Sequence, residues 1–258
     1  MSVFVAIFLG IVQGLTEFLP VSSSGHLVLF QKIFGIDVDC LFFDIVVHLG
    51  TLFAVCVVFR KSILDMIKHP FCEKSKKIVF ATIPTVLIAV CFKDFFKSAF
   101  NGNYLFVGFL TTAIFMFIAT YVSKHNYQYK SMTFVSAGVM GVFQGLAIMP
   151  GVSRSGSTIT SALVQGVRRN ESAEFSFLMS IPAILGSLVF ELFDLGGETI
   201  NISIFAMFFG FVFSAVSGYL AIKLMLKIIK KAKFFWFGIY LFLLSIFVAL
   251  NQFVFCWF

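Results

Sequence analysis

The sequence predicts an all-α polytopic membrane protein with six transmembrane helices and two re-entrant helical hairpins in an inverted-topology repeat. Three observations predict it: a very apolar composition, a ladder of apolar runs separated by charged loops, and two broken apolar stretches that resemble each other. Of 258 residues, 60% are hydrophobic, 18% aromatic (38 are Phe) and only 12% charged, for a mean hydropathy of +1.02. Globular domains carry about 25% charged residues, so this chain lacks the ionic side chains to cover an aqueous surface, and the same numbers exclude disorder. The formal charge of +7, from 19 Lys and Arg against 12 Asp and Glu, fits either nucleic acid or the basic loops of a membrane protein, and position decides between them. Cys40, Cys56, Cys72, Cys91 and Cys256 show no C-x-x-C spacing and suggest neither a disulfide framework nor a metal knuckle. No basic residue precedes Lys32, so the start lacks the charged region of a secretory signal, and the apolar N-terminus is expected to be kept.

A membrane crossing needs about 20 helical residues. Residues 41–59, 104–122, 175–193 and 202–222 fit single spans; 78–96 makes another if it continues past Lys93 and Asp94, and 234–254 the last. Two stretches do not fit. Residues 3–34 are interrupted by Glu17, Pro20, the run Ser22-Ser23-Ser24-Gly25 and His26, and residues 132–167 by Pro150, Gly151 and Arg154. Each is too long for one crossing and too short for two, so each is expected to be a hairpin that enters and leaves on one side.

A shift of 131 residues lays Gln13-Gly14-Leu15 on Gln144-Gly145-Leu146 and Val21-Ser22-Ser23-Ser24-Gly25 on Val152-Ser153-Arg154-Ser155-Gly156. The chain then divides, within one membrane domain, into repeats 1–130 and 131–258, each a hairpin followed by three spans. An odd number of crossings turns the second repeat upside down. The loops agree: residues 60–77 hold Arg60, Lys61, Lys68, Lys74, Lys76 and Lys77, and residues 223–233 hold five lysines, whereas 194–201 has Asp194 and Glu198 with no base. The positive-inside rule places the two basic loops in the cytoplasm and both termini outside. The basic excess is therefore a topology signal, and no nucleic-acid partner is expected.

Irregular backbone at membrane depth survives only where protein or a watery cavity satisfies it, and two such loops from opposite faces would meet near mid-membrane. Together they offer an anion site. Gly25, Gly151 and Gly156 permit close backbone approach, Ser22, Ser23, Ser24, Ser153, Ser155, Ser157 and Thr158 supply hydroxyls, and a helix start follows each loop. Gln144 occupies the place of Gln13 in the second loop. Arg154 supplies fixed charge; at membrane depth it costs at least about 2.5–3.5 kcal/mol and needs a partner, either phosphate oxygens or Glu17 as a structural tie. Glu17 shares a helix face with Gln13, and the two could hold a divalent cation through oxygen or leave Glu17 to act as a base. His26 follows Ser23 by three residues, close enough to deprotonate it, though such a pair also serves as a helix cap. Asp44 and His48 are expected to hydrogen-bond locally, Glu171 and Glu174 to form an ion cluster with Arg168 and Arg169, and the Phe stripes of 204–213 to face lipid or packing partners.

The segments Gln13–His26 and Pro150–Thr158 resemble the two signatures of the undecaprenyl-diphosphate phosphatase family, also called the bacitracin-resistance protein, and the run Glu174-Phe175-Ser176-Phe177-Leu178 is similar as well. The resemblance implies hydrolysis of a polyprenyl diphosphate lipid to the monophosphate, which renews the carrier for peptidoglycan synthesis. It also implies a site opening on the outer face of the bacterial plasma (inner) membrane and a divalent cation, Mg2+ or Ca2+. Carried over by position, Glu17, Ser23, His26 and Arg154 are catalytic, and Ser153 and Thr158 lie in the phosphate loop. Gln13 stands where many members have Glu, which leaves one carboxylate for a metal. The sequence leaves open whether Ser23 or His26 is the nucleophile and whether the chain forms a homodimer. The rival function is a transporter or flippase of polyprenyl phosphate or another anion, since inverted repeats with broken helices are also a transporter plan.

Overall fold

The computed structural model describes residues 1–36, 40–100, 102–125, 129–194 and 202–255, with the side chains of 40, 41 and 191–194 left aside. The described residues form helices and no named strand; Lys130 and Val167 alone make an isolated bridge. The order is α1 (Val3–Phe18), α2 (Ser23–Ile33), α3 (Cys40–Val58), α4 (Arg60–Lys68), α5 (Glu73–Cys91) and α6 (Lys93–Ala99). There follow α7 (Leu105–His125), α8 (Phe134–Leu146), α9 (Arg154–Val164), α10 (Arg169–Asp194), α11 (Ile204–Lys230), α12 (Phe235–Leu250) and a π-helical turn, Asn251–Phe255.

Four helical segments are long and apolar enough to cross a membrane, and six when two bent pairs each count as one span. The chain is a multi-pass membrane protein. Its bent pairs differ from the straight spans expected. Residues 78–96 do not run on as one helix, because α5 ends at Cys91 and α6 turns from it by 74°. Lys93, Asp94 and Lys97 lie on α6, and a turn toward the interface keeps these charges out of hydrocarbon. Likewise α4, with Arg60, Lys61 and Lys68, bends 79° from α3, so part of the expected basic loop is helix. The acidic segment 195–201 lies outside the described residues.

Helix pairing follows small residues. A Cβ on Gly14 would sit 2.4 Å from the Ser214 carbonyl of α11, and one on Gly141 would sit 2.0 Å from the Ala81 carbonyl of α5, so α1 packs on α11 and α8 on α5 with backbones nearly touching. In lipid this close packing replaces the hydrophobic drive that water supplies elsewhere. Phe18, Phe109 and Phe177 are fully buried in the largest core cluster, whereas Phe205 and Phe208 on α11 face outward at 70% and 59% exposure, where lipid would meet them. The expected cluster at the start of α10 is replaced by ties to other elements. Glu174 takes Lys74 at 2.8 Å and Ser62 at 3.1 Å, Glu171 accepts from the Met132 N–H at 2.8 Å, and Arg169 donates to the carbonyls of Ser123 and Lys230.

Candidate active site

Both hairpins break for local reasons. Leu19 precedes Pro20, a position pushed out of the helical region, and it is extended at ψ 147°. The next helices restart on equivalent serine caps: Ser22 Oγ accepts from the Gly25 N–H at 3.3 Å, and Ser153 Oγ from the Gly156 N–H at 3.1 Å. Ser22 holds φ at +71°, a strained value for a residue with a Cβ and of the kind found at functional sites. The loops meet directly. A Cβ on Gly25 would sit 2.8 Å from the Gly151 Cα, Gly151 itself turns at φ +86°, and Ser155 Oγ donates to the Leu19 carbonyl at 3.1 Å.

At this junction Glu17 is the hub. Arg154 Nη2 donates to its Oε1 at 2.6 Å, while its Oε2 accepts from the Ser23 hydroxyl and, at 3.1 Å, from Gln13 Nε2. The carboxylate is almost fully buried, at 6% side-chain exposure, and the guanidinium is 14% exposed. Two buried polar atoms beside the pair have no partner: Arg154 Nη1, a donor, and Gln13 Oε1, an acceptor. Leaving such atoms unmet costs about 1–3 kcal/mol each, so the site is incomplete by itself and suited to a polar guest that both accepts from Arg154 and has a partner for Gln13.

His26 takes a different place from the one expected. Its Nδ1 lies 2.7 Å from the Ser22 carbonyl and its Nε2 2.6 Å from the Tyr240 hydroxyl. A carbonyl only accepts, so Nδ1 carries the proton and Nε2 accepts from Tyr240. Among the described residues no hydrogen bond joins His26 to Ser23; the side chain that accepts from the serine hydroxyl is the Glu17 carboxylate. Phe109 packs edge-on to the imidazole, 5.3 Å between centroids.

Other expected site residues divide between the junction and its frame. Ser24 Oγ lies 3.4 Å from Ser22 Oγ, and Ser153 Oγ 3.2 Å from Ser155 Oγ. Thr158 turns away to Ser176 at 2.6 Å and anchors α9 on α10. Gln144 donates to Thr85 at 3.3 Å, so it braces α8 on α5 instead of joining Glu17. His48 bonds locally to the Asp44 carbonyl at 2.7 Å, as expected, and Gln31 donates to the Asp44 carboxylate at 2.9 Å. Sequence reasoning missed Thr112 and Tyr240. Thr112 Oγ1 donates to the Gly151 carbonyl and accepts from the Ser153 N–H, at 3.0 and 2.9 Å, and so holds the second loop in shape. A threonine or tyrosine in an apolar span carries no local signal, and only the fold places these two at the loops.

Residues 6–247, which include every one of these groups, match the model of the family described as bacitracin resistance protein BacA. The chain belongs to that family. It is 45% identical over 256 residues to an undecaprenyl-diphosphatase of Carboxydothermus hydrogenoformans, covering 98% of both chains. It is 41% identical over 258 residues to one of Halothermothrix orenii, covering 97% of this chain and 98% of the relative. It is 42% identical over 259 residues to one of Caldicellulosiruptor bescii, at 95% and 96% coverage. Family membership joins the two loops, 137 residues apart at Glu17 and Arg154, to a shared phosphatase name.

Proposed function

We propose that this chain is an undecaprenyl-diphosphatase, which hydrolyses undecaprenyl diphosphate to undecaprenyl phosphate and inorganic phosphate, recycles the lipid carrier for peptidoglycan synthesis and confers bacitracin resistance. The observation that carries the reading is the Ser23 hydroxyl bonded to a carboxylate whose other oxygen is held by Arg154. Transport of an anion needs a binding site but no nucleophile with a base in contact, so this arrangement favours chemistry over the flippase alternative.

In this mechanism Ser23 Oγ attacks the terminal phosphorus and passes its proton to Glu17. The bond from that phosphorus to the bridging oxygen breaks, and lipid monophosphate leaves in line. Glu17 passes the serine proton to the departing lipid phosphate; water then attacks the phosphoserine and gives a proton to Glu17, which returns it to Ser23 Oγ as phosphate departs. Arg154 Nη1, the donor without a partner, and the N–H groups at the α9 start stabilise charge on the phosphoryl oxygens. His26, fixed by Ser22 and Tyr240, shapes the α2 start beside the nucleophile. The family implies a divalent cation, Mg2+ or Ca2+. Gln13 Oε1, a buried oxygen without a partner, fits one, with Glu17 as a second oxygen donor; among the described residues no group of three His, Cys, Asp or Glu forms a protein cage. When bound, the cation would neutralise diphosphate charge, with substrate oxygens filling its remaining positions.

The placement in the bacterial inner membrane, with both termini and the site mouth outside, belongs to the same proposal. A swap of partners supports the inverted repeat: the 131-residue shift carries α1 onto α8 and α5 onto α11, and the observed pairings are α1 with α11 and α8 with α5. The deciding experiment is phosphate release from undecaprenyl diphosphate by purified protein in detergent, with and without chelator. Release that stops in chelator and returns with Mg2+ or Ca2+ is expected; no release with any added cation would remove the enzymatic reading.

A further inference from the structure

A second polar site lies two aromatic ring contacts away from the Glu17 junction. Where α3 bends into α4, a cavity of about 360 Å³ opens between these helices, α10 and α11. Arg60, Lys61 and Lys223 line it together with Ser62. Among the described residues none of the three cations has an ion-pair partner, and Lys223 Nζ lies 4.3 Å above the centre of the Tyr219 ring. The one carboxylate in the lining, Glu174, is already engaged by Lys74 at 2.8 Å and by Ser62 at 3.1 Å. The first turn of α4 forms another part of the wall, and no side chain caps it, so the positive end of that helix adds to the field. Val58, Phe59 and the Tyr219 ring make the remaining wall apolar.

We propose that this cavity binds the phosphate headgroup of a membrane lipid, with the cations and the α4 start on the phosphate and the apolar wall against the first methylenes of the chain. Three cations without ion-pair partners among the described residues, beside an apolar surface, suit an amphiphile better than a free ion, which would leave the apolar wall unused. In the proposed topology the cavity faces the cytoplasm, where basic clusters at the membrane surface meet anionic lipids. It is a second site and not an entrance to the first. Phe59 packs on Phe177 with centroids 6.0 Å apart, and Phe177 packs on Phe18 at 5.7 Å, so an aromatic layer separates the cavity from the neighbouring Glu17. The diphosphatase reading contributes nothing to this argument; the topology contributes only the side.

Native mass spectrometry of the full chain in detergent tests it, with phosphatidylglycerol, undecaprenyl phosphate, phosphatidylcholine and inorganic phosphate as separate probes. The variant Arg60→Gln/Lys61→Gln/Lys223→Gln is compared with the wild type and with Arg154→Lys. We expect the triple variant to retain anionic lipid at least about tenfold more weakly, to hydrolyse diphosphate within about twofold of wild type, and Arg154→Lys to keep the lipid. If the triple variant does not purify, each single change should weaken retention by about twofold to fivefold, and raised salt should weaken it in the wild type. The anionic lipid retained more strongly identifies the source, an ordinary phospholipid or the product of the reaction. Wild-type retention in the triple variant overturns the proposal, as does equal retention of phosphatidylcholine. Displacement by inorganic phosphate at equal concentration reduces the site to one for a free ion, and loss in Arg154→Lys alone moves the bound lipid to the catalytic junction.

Discussion

Two loops, one between α1 and α2 and one between α8 and α9, use one backbone device to different ends. Each is a helix, a break that contains a proline, a serine cap and a new helix, and the caps Ser22 and Ser153 match under the 131-residue shift. At the first position after the cap the first loop has Ser23 and the second has Arg154, and both side chains reach Glu17. One turn after the shared glutamine, the first loop has Glu17 and the second Ile148. Gln13, with a carboxylate beside it, joins the junction, whereas Gln144, without one, bonds to Thr85. The matching backbone thus supplies a frame in each loop, and two sequence differences place a hydroxyl beside a carboxylate on one side and a fixed cation on the other.

Breaking the nucleophile half should have the largest effect. Ser23→Ala is expected to lower turnover by about 10⁴-fold or more, the scale on which losing a covalent nucleophile acts, and to abolish an acid-stable phosphoryl label trapped by rapid quench of terminally labelled substrate. Acid-labile label that persists in Ser23→Ala would assign attack to His26, and no label under any quench would favour direct attack by water.

Breaking the Arg154–Glu17 pair between the halves should cost less chemistry but more fold. Arg154→Lys keeps the charge but loses the planar fork, so the loss in kcat is expected at about 10²–10³-fold, the scale of one preorganised donor. Glu17→Gln leaves the buried guanidinium without its counter-charge and should destabilise the protein by about 3–5 kcal/mol, read as a fall in thermal midpoint in detergent. Combining Glu17→Gln with Arg154→Gln should restore much of that stability without restoring activity. Recovery of both would mean that the pair is only a tie between the halves.

A subtler comparison sets the two glutamines against each other. Gln13→Ala should lower activity by about tenfold and raise the cation concentration needed, while Gln144→Ala should change activity by no more than about twofold, since it removes a brace worth about 1 kcal/mol. Equal effects would mean that the loops are less specialised than their contacts indicate. A modest change is also expected from Tyr240→Phe. It removes one hydrogen bond to His26 and should reduce kcat by about twofold to tenfold with little change in KM; a loss on the scale of Ser23→Ala would put His26 at the centre of the chemistry.

Much of the candidate site was legible in the sequence. Glu17, Ser23 and Arg154 stand out because a charged or hydroxyl group amid apolar residues is expensive in lipid and must have a use. The partner of Ser23 was misread because spacing along a helix shows which side chains come near, not which hydrogen bond wins. His26 is bound at both ring nitrogens, by Ser22 and by Tyr240, 214 residues away, so both nitrogens are engaged away from Ser23.

Composition, charged loops and proline breaks are local properties, and a bilayer converts them into structure with few alternatives because every backbone polar group must be met within the protein. They therefore sufficed for the helical membrane class, for the two helix breaks and for candidate residues that meet between them. Contacts between distant segments were decided only in three dimensions: Arg154 on Glu17, Thr112 under the second loop, Tyr240 on His26, and the cavity where α3, α4, α10 and α11 converge. The turns of α4 and α6 away from their spans belong with these. Each depends on which helix faces which, and packing of whole helices sets that relation where no local rule of the chain reaches.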